Sequence, residues 1–164
     1  MILVSACLLG HKIKYDGGSN PNELLLKYNE RGRFIAICPE CFGQMPVPRP
    51  PAEIVKRTNK KIFAGKAIVK NKEGQEVTRF FYNGADKVLK IANAYNVKYA
   101  ILKENSPSCG VHDIYDGSFT GKKVKGNGIC AAILAAHGII LYSEKDLSVV
   151  RLETLLTEDE KNGD

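Results

Sequence analysis

The sequence lacks the features that would mark a membrane protein or a nucleotide-cofactor enzyme. The apolar stretch at residues 1–9 has no basic segment and is far shorter than the roughly 20 residues of a transmembrane helix. No Gly-x-Gly-x-x-Gly, Walker or Cys-x5-Arg motif occurs, so ordinary nucleotide-cofactor binding and phosphatase-like chemistry have no support. We therefore expect a cytoplasmic protein without a membrane partner.

Concentrated positive charge is also missing. The formal net charge is +6 and the pI is about 9.0, but the basic residues are scattered. Their small clusters, at residues 56–57, 60–61 and 122–125, are not interleaved with aromatic residues. Because a nucleic-acid surface usually shows a basic stripe, the pattern favours solvated loops. It leaves a nucleic-acid partner open without supporting one, and it indicates no oligomeric state.

The composition is that of a globular domain, with 44% hydrophobic and 26% charged residues among 164. No repeat, linker or low-complexity tract divides the chain, so we expect a single domain over residues 1–164. Short apolar runs alternate with helical patterns. They predict strands at residues 2–6, 34–37, 98–102 and 139–142, and helices at residues 20–32, 78–96, 127–137 and 148–156.

This alternation predicts a Rossmann-like, doubly wound α/β fold, with a mostly parallel sheet and helices on both faces. Asn20 is expected to cap the first helix, with Pro21 at its first position. Residues 62–69 and 75–77 are expected to form a small β-hairpin insertion. The acidic tail at residues 158–164 is expected to fray.

Five cysteines without a secretory signal do not indicate a disulfide framework. Cys7 closes the first predicted strand, Cys38 closes the second, and Cys109 follows the third. Because the loops after parallel strands emerge at one edge of a sheet, the fold brings these three side chains together and predicts a thiolate metal site. Cys130, in an alanine-rich helix, is expected to be core packing. Cys41 has the spacing of a redox pair or a metal ligand with Cys38, and is an alternative fourth ligand.

Several co-ordered motifs resemble the DUF523 family, which includes bacterial thiouracil desulfidases. The resemblance covers most of the chain, from the first strand to the helix near residue 136. The motifs are Val4-Ser5-Ala6-Cys7-Leu8-Leu9-Gly10, Tyr15-Asp16-Gly17-Gly18, Cys38-Pro39-Glu40, Pro48-Arg49-Pro50-Pro51-Ala52-Glu53, Leu102-Lys103-Glu104, Ser106-Pro107-Ser108-Cys109-Gly110 and Ile114-Tyr115-Asp116-Gly117.

The resemblance implies a [4Fe–4S] cluster held by Cys7, Cys38 and Cys109, with an open position on the fourth iron. It implies hydrolytic desulfuration. Sulfur of a thiouracil-like base or related thioamide binds the open iron, and water attacks the polarised carbon without net redox change. It also implies catalytic roles for Glu40, Ser106 and Ser108. Glu40 would activate water or protonate the ring, and one of the two serines would bind the substrate.

Two alternatives remain at this point. A non-catalytic iron–sulfur module could sense redox state or assist thionucleoside processing, and Cys41 would then close the site. Three or four thiolates also suit zinc. The substrate could be a thio-base, a thionucleoside, a nucleotide or a thiolated tRNA base.

Arg49, held among prolines, is expected to brace its loop rather than meet the substrate.

Overall fold

A sheet of four parallel strands forms the centre of the structure, a computed structural model that describes residues 1–56 and 66–163. The strands are shifted by at most one residue at an end from the predicted ones. Numbered along the chain together with four short strands described below, they are β1 (Ile2–Ser5), β2 (Phe34–Ile37), β5 (Tyr99–Leu102) and β8 (Ile140–Ser143). Their order is β2-β1-β5-β8, so the chain reverses its direction of winding between β1 and β5.

Helices cover both faces of this sheet, which confirms the doubly wound α/β prediction. One face packs Leu3, Ala100 and Leu102 against two helices, and the other packs Ile2 and Val4 against two more. The helices are α1 (Glu23–Asn29), α2 (Pro39–Phe42), α3 (Thr78–Ala94), α4 (Ile129–Ala136) and α5 (Val149–Asn162), with α3 and α4 on the first face and α1 and α5 on the second. No helix among the described residues is both long enough and apolar enough to span a bilayer.

The predicted hairpin insertion exists, but its main strands differ from the predicted ones. Strand β3 (Ala52–Lys56) pairs antiparallel with β4 (Ile68–Asn71). Residues 62–65 of the predicted hairpin lie outside the described residues, and its second strand is reduced to one bridge, Lys70 to Glu76. The prolines that end at Pro51 obscured β3, because the pairing begins at the next residue. A second hairpin, β6 (Asp113–Tyr115) with β7 (Lys123–Lys125), was not predicted.

Two helix ends also differ from prediction. The first helix is capped by Asn22 and not by Asn20, because the Asn22 side chain accepts the Leu25 N–H at 3.0 Å. Residues 158–162 of the acidic stretch belong to α5, which extends beyond its predicted end at residue 156. Its Asp159 is buried and receives Arg33 Nη2 at 2.8 Å and the Met1 amine at 2.6 Å. A buried carboxylate with two cationic partners anchors this part of the chain, and charge density along the sequence did not reveal it.

Helix α2 docks on α3 through backbone contact at two glycines. A Cβ on Gly84 would lie 1.7 Å from the Pro39 carbonyl oxygen, and one on Gly43 would lie 2.0 Å from the Phe80 carbonyl oxygen. Both contacts are with backbone, which cannot rotate away as a side chain can. Helix α2 can therefore lie this close to α3 only because neither glycine has a side chain. The residues that α2 carries are positioned by this contact.

We expect Gly84→Ala to lower the free energy of unfolding by about 3 kcal/mol or more. Overpacking costs typically 1–3 kcal/mol and the clash here is with backbone, so it outweighs the roughly 1 kcal/mol that alanine gains in a helix. Urea unfolding of the full chain measures the change. Asn83→Ala, at an exposed position of the same helix, is the matched control and should leave stability unchanged or raise it slightly. Equal effects of the two substitutions would contradict the packing argument.

Candidate metal centre and active site

A cavity of about 420 Å³ opens at the carboxyl end of the sheet, where the chain reverses between β1 and β5. Ligands of open α/β sheets bind at such switch points, since the loops of the two adjacent strands diverge there. Cys7, Cys38 and Cys109 all line this cavity. The predicted convergence of the three cysteines at one sheet edge is therefore observed.

Cys7 lies in a 3₁₀ turn, Ala6–Leu9, directly after β1. The strand was predicted to extend through Ala6, but it ends at Ser5 and the turn redirects the Cys7 side chain toward the cavity. The Cys7 carbonyl accepts the backbone N–H of Gly10 at 3.2 Å and of Asn20 at 3.0 Å. Asn20 thus fastens the loop after β1 instead of capping α1.

Cys38 occupies the N-cap position of α2, immediately after β2. Cys41 lies one turn further along this helix, and its Sγ lies 3.8 Å from the Ile13 carbonyl oxygen. Unlike Cys38, Cys41 is not part of the cavity lining. Cys130 is fully buried in α4, as expected for core packing.

Cys109 lies in a loop after β5 that is folded tightly around two side chains. Ser106 Oγ accepts the backbone N–H groups of Ser108 and Cys109 at 3.1 and 3.0 Å. The buried carboxylate of Glu104 accepts four more at Oε1, over 2.8–3.3 Å, from Asn105, Val111, His112 and Asp113. Burial acts to raise the pKa of Glu104, but these N–H donors outweigh it, and the pKa lies below its ordinary value.

We expect Glu104→Ala to lower the free energy of unfolding by about 3 kcal/mol or more. It removes the acceptor of four backbone N–H groups, and each buried donor left unpaired costs about 1–3 kcal/mol, partly recovered where water enters. Urea unfolding measures the loss. Glu104→Gln keeps an acceptor oxygen in place and should lose clearly less. If both variants were as stable as the wild type, the carboxylate would not organise this loop.

The donor set and the cavity fit a thiolate-bound cluster. Burial raises the pKa of Cys109 to about 12, and it also raises the pKa of Cys7 and of Cys38. Neutral pH therefore leaves the three thiols protonated unless a cation replaces the protons. Among the described residues, no three Cys, His, Asp or Glu side chains close around a single ion. The three thiols line one cavity of about 420 Å³, and cysteine thiolates are the ligands that hold iron–sulfur clusters.

A directed hydrogen-bond chain leads from the Cys109 loop to Glu40. Ser106 Oγ accepts two N–H groups, so its own proton goes to Ser108 Oγ, 2.9 Å away. Ser108 then donates to Glu40 Oε2 at 2.9 Å. The other carboxylate oxygen of Glu40 accepts Arg49 Nε at 3.1 Å. All three predicted catalytic side chains line the cavity and form one unit.

Arg49 braces this unit, as expected, and it is also part of the cavity lining. Its side chain is almost fully buried, and its two terminal nitrogens donate to the carbonyl oxygens of Pro46 and Ile13, both at 3.1 Å. The guanidinium thus ties the loop after β1 to the proline-rich segment and holds Glu40 between them.

Sequence reasoning missed two carboxylates that shape the cavity wall. Glu104 organises the Cys109 loop as described, and Glu53 Oε1 accepts the backbone N–H groups of Gly117 and Phe119 at 3.0 and 3.2 Å. Both belong to motifs that carried the resemblance. The sequence could have indicated their role, because both carboxylates lie beside glycine- and proline-rich loops. Such loops need acceptors for their backbone N–H groups.

The fold and the cavity together define the class of a doubly wound α/β protein with three cysteines at its switch point. The sequence profile of the 2-thiouracil desulfurase family matches residues 2–146. The chain therefore belongs to this family, which confirms the resemblance drawn from its motifs.

Two relatives of similar length match most of this chain. The Bacillus subtilis (strain 168) protein YbbK, described as uncharacterized, is 40% identical over 148 residues, covering 90% of this chain and 98% of YbbK. A solved structure, the [4Fe-4S]-dependent thiouracil desulfidase TudS (DUF523Vcz), is 40% identical with a TM-score of 0.81. That match covers 94% of this chain and 97% of TudS.

Proposed function

We propose that this protein is a [4Fe–4S]-dependent desulfidase that hydrolyses the carbon–sulfur bond of a thiolated pyrimidine or related thioamide. The observation that carries the proposal is one cavity lined by three thiols and by the Ser106–Ser108–Glu40 chain. Cys7, Cys38 and Cys109 would hold the cluster. When bound, a cluster with three cysteine ligands offers one open iron, a Lewis acid suited to a soft thiocarbonyl sulfur.

Glu40 is the proposed general base. Its carboxylate lies beside the thiols with fixed orientation, since Arg49 and Ser108 each donate to one of its oxygens. Each carboxylate oxygen has a further lone pair, which can accept a proton from attacking water. In the balanced reaction, C=S and H₂O give C=O and H₂S. Glu40 takes one proton from water as the water oxygen bonds to the carbon. The carbon–sulfur bond then breaks without electron transfer, and sulfur leaves as H₂S with the proton returned by Glu40 and the remaining hydroxyl proton, so that the C=O bond forms.

The two serines are proposed to orient this base. Their donation runs in one direction, toward Glu40, so both hydroxyl protons are already engaged in the protein. Ser108 also lies 3.7 Å from Cys109 Sγ, which couples the base to a cluster ligand. We therefore propose that Ser106 and Ser108 hold Glu40 and the Cys109 loop in position. They would act on the substrate only indirectly, through the water that Glu40 activates.

A small thio-base or thionucleoside is the proposed substrate. The cavity volume of about 420 Å³ has to hold the cluster together with the substrate, and this favours a small molecule. Tyr15 and Tyr115 line its wall and offer aromatic rings to a planar base. Lys103 lies nearby with its ammonium held by Glu144 Oε1 and the Glu104 carbonyl oxygen, at 3.2 and 3.1 Å.

Anaerobic purification and reconstitution, followed by measurement of uracil and sulfide from thiouracil, tests the proposed function. Iron content near four per chain with visible absorbance separates a cluster from zinc. We expect both products in equal amounts without added reductant. A fully loaded protein that is inert toward a panel of thio-bases would reject the enzyme and favour the non-catalytic module.

A further inference from the structure

Cys38 and Cys41 stand one helical turn apart at the start of α2, and the proposed function uses only the first of them. Cys38 is the N-cap residue, and Cys41 is the third residue of the helix. Both thiols are half-buried, whereas Cys7, Cys109 and Cys130 are buried.

A turn of the Cys38 side chain toward Cys41 would bring the two thiols to the distance that a disulfide needs. Side chains three residues apart on a helix have Cβ atoms about 5–6 Å apart, while a disulfide needs about 3.5–4.5 Å. Cys38 has an extended backbone, with φ −137°, and so lies just outside the helix, where its side chain can turn toward Cys41. A Cys-x-x-Cys pair at the start of a helix is a recurrent arrangement for reversible dithiol chemistry.

We propose that Cys38 and Cys41 form a reversible disulfide in the cluster-free protein, and that this disulfide withholds one cluster ligand until it is reduced. The inference depends on the proposed function in one respect: it takes Cys38 to be a ligand of the cluster. The disulfide and the cluster compete for the same sulfur, so a loaded protein is protected from oxidation at this pair and an oxidised one cannot be loaded.

The oxidant is a low-molecular-weight disulfide, RSSR. One of the two thiols, as thiolate, attacks RSSR and releases the first RSH, leaving a mixed disulfide on the protein. The second thiol then displaces the remaining RS group as RSH. In sum, two protein thiols and RSSR give one protein disulfide and two RSH. Two electrons pass from the two cysteine sulfurs to the sulfurs of RSSR, and the two thiol protons leave with them.

Mass spectrometry of the cluster-free full chain after anaerobic treatment with oxidised glutathione tests the inference. We expect the five free thiols to fall to three, with the disulfide mapped to positions 38 and 41. Cys130→Ala removes one thiol but keeps Cys38 and Cys41, so it should form the same disulfide. Cys41→Ser should form none. Retention of five thiols in the wild type, or a disulfide between other positions, would overturn the proposal.

Iron uptake provides the second readout. The purified disulfide form, given iron and sulfide without a thiol reductant, should bind as little iron as Cys38→Ser, and dithiothreitol should restore wild-type uptake. Equal uptake by the disulfide and reduced forms would sink the inference while leaving the desulfidase proposal intact. That proposal fails separately, if the reduced and loaded protein does not release sulfide from thiouracil.

Discussion

We expect Cys7→Ser, Cys38→Ser and Cys109→Ser, each made alone, to lower bound iron by about tenfold or more after anaerobic reconstitution. Substituting a residue that only hydrogen-bonds to a metal ligand already costs roughly 10–100-fold in metal affinity. Each of these variants removes a proposed ligand itself, so the loss should be at least as large. The hydroxyl of serine is a harder donor than thiolate and suits iron–sulfur clusters poorly. Iron analysis and visible absorbance of each purified variant measure the loss, and desulfidation of thiouracil should disappear with the cluster.

Two further cysteines provide matched controls for this result. Cys130→Ala and Cys41→Ser remove a thiol from α4 and from α2 without touching the cavity lining, so both should keep the cluster. Loss of the cluster in Cys41→Ser would show a fourth thiolate ligand and a closed site, which contradicts catalysis through an open iron. Retention of the cluster in any of the three cavity variants would contradict its assignment as a ligand.

Glu40→Gln is expected to lower kcat by about 10²- to 10⁴-fold while iron content and the cluster spectrum stay unchanged. The amide keeps nearly the shape of the carboxylate but cannot take the proton from attacking water, and general-base catalysis is commonly worth this factor. Steady-state desulfidation of thiouracil by the loaded variant measures it. Because the base acts after binding, we expect KM to change much less than kcat.

Glu53→Gln is the matched control, since Glu53 is also a largely buried carboxylate of the cavity wall. Its Oε1 accepts two backbone N–H groups, which an amide oxygen can also do, so the loaded variant should stay within about tenfold of the wild-type kcat. If Glu53→Gln were inactive and Glu40→Gln active, the roles of the two carboxylates would have to be exchanged.

The sheet and the cysteine edge were predictable because both follow from local patterns. Residues 34–37 form an apolar run bounded by a basic residue and by Cys38-Pro39, and the structure places a strand there with the same limits. Parallel strands then deliver their following loops to one edge whatever the side chains are, so the meeting of Cys7, Cys38 and Cys109 needed only the strand positions. Naming the cluster needed the family.

The parts that the sequence did not predict depend on contacts between distant residues. Strand β3 follows a run of prolines that forbids regular structure, and its partner β4 lies across an intervening segment. Asp159 belongs to an acidic stretch that resembles a solvated tail until Arg33, far away in sequence, is placed beside it. The Glu104 carboxylate accepts backbone N–H groups whose direction is set only when the loop has folded. No spacing of residues along the sequence predicts these hydrogen bonds.

The strand order has a consequence for when the cofactor can be inserted during biosynthesis. Strand β1 lies between β2 and β5, so the first cysteine reaches the third only after β5 pairs beside β1, across a separation of nearly the first hundred residues. Closing so long a segment is slow relative to the local pairing of helices. The three proposed ligands would therefore come together only after Cys109 has left the ribosome and β5 has paired with β1. With the proposed ligands, insertion of a cluster would therefore have to follow the pairing of β5 with β1.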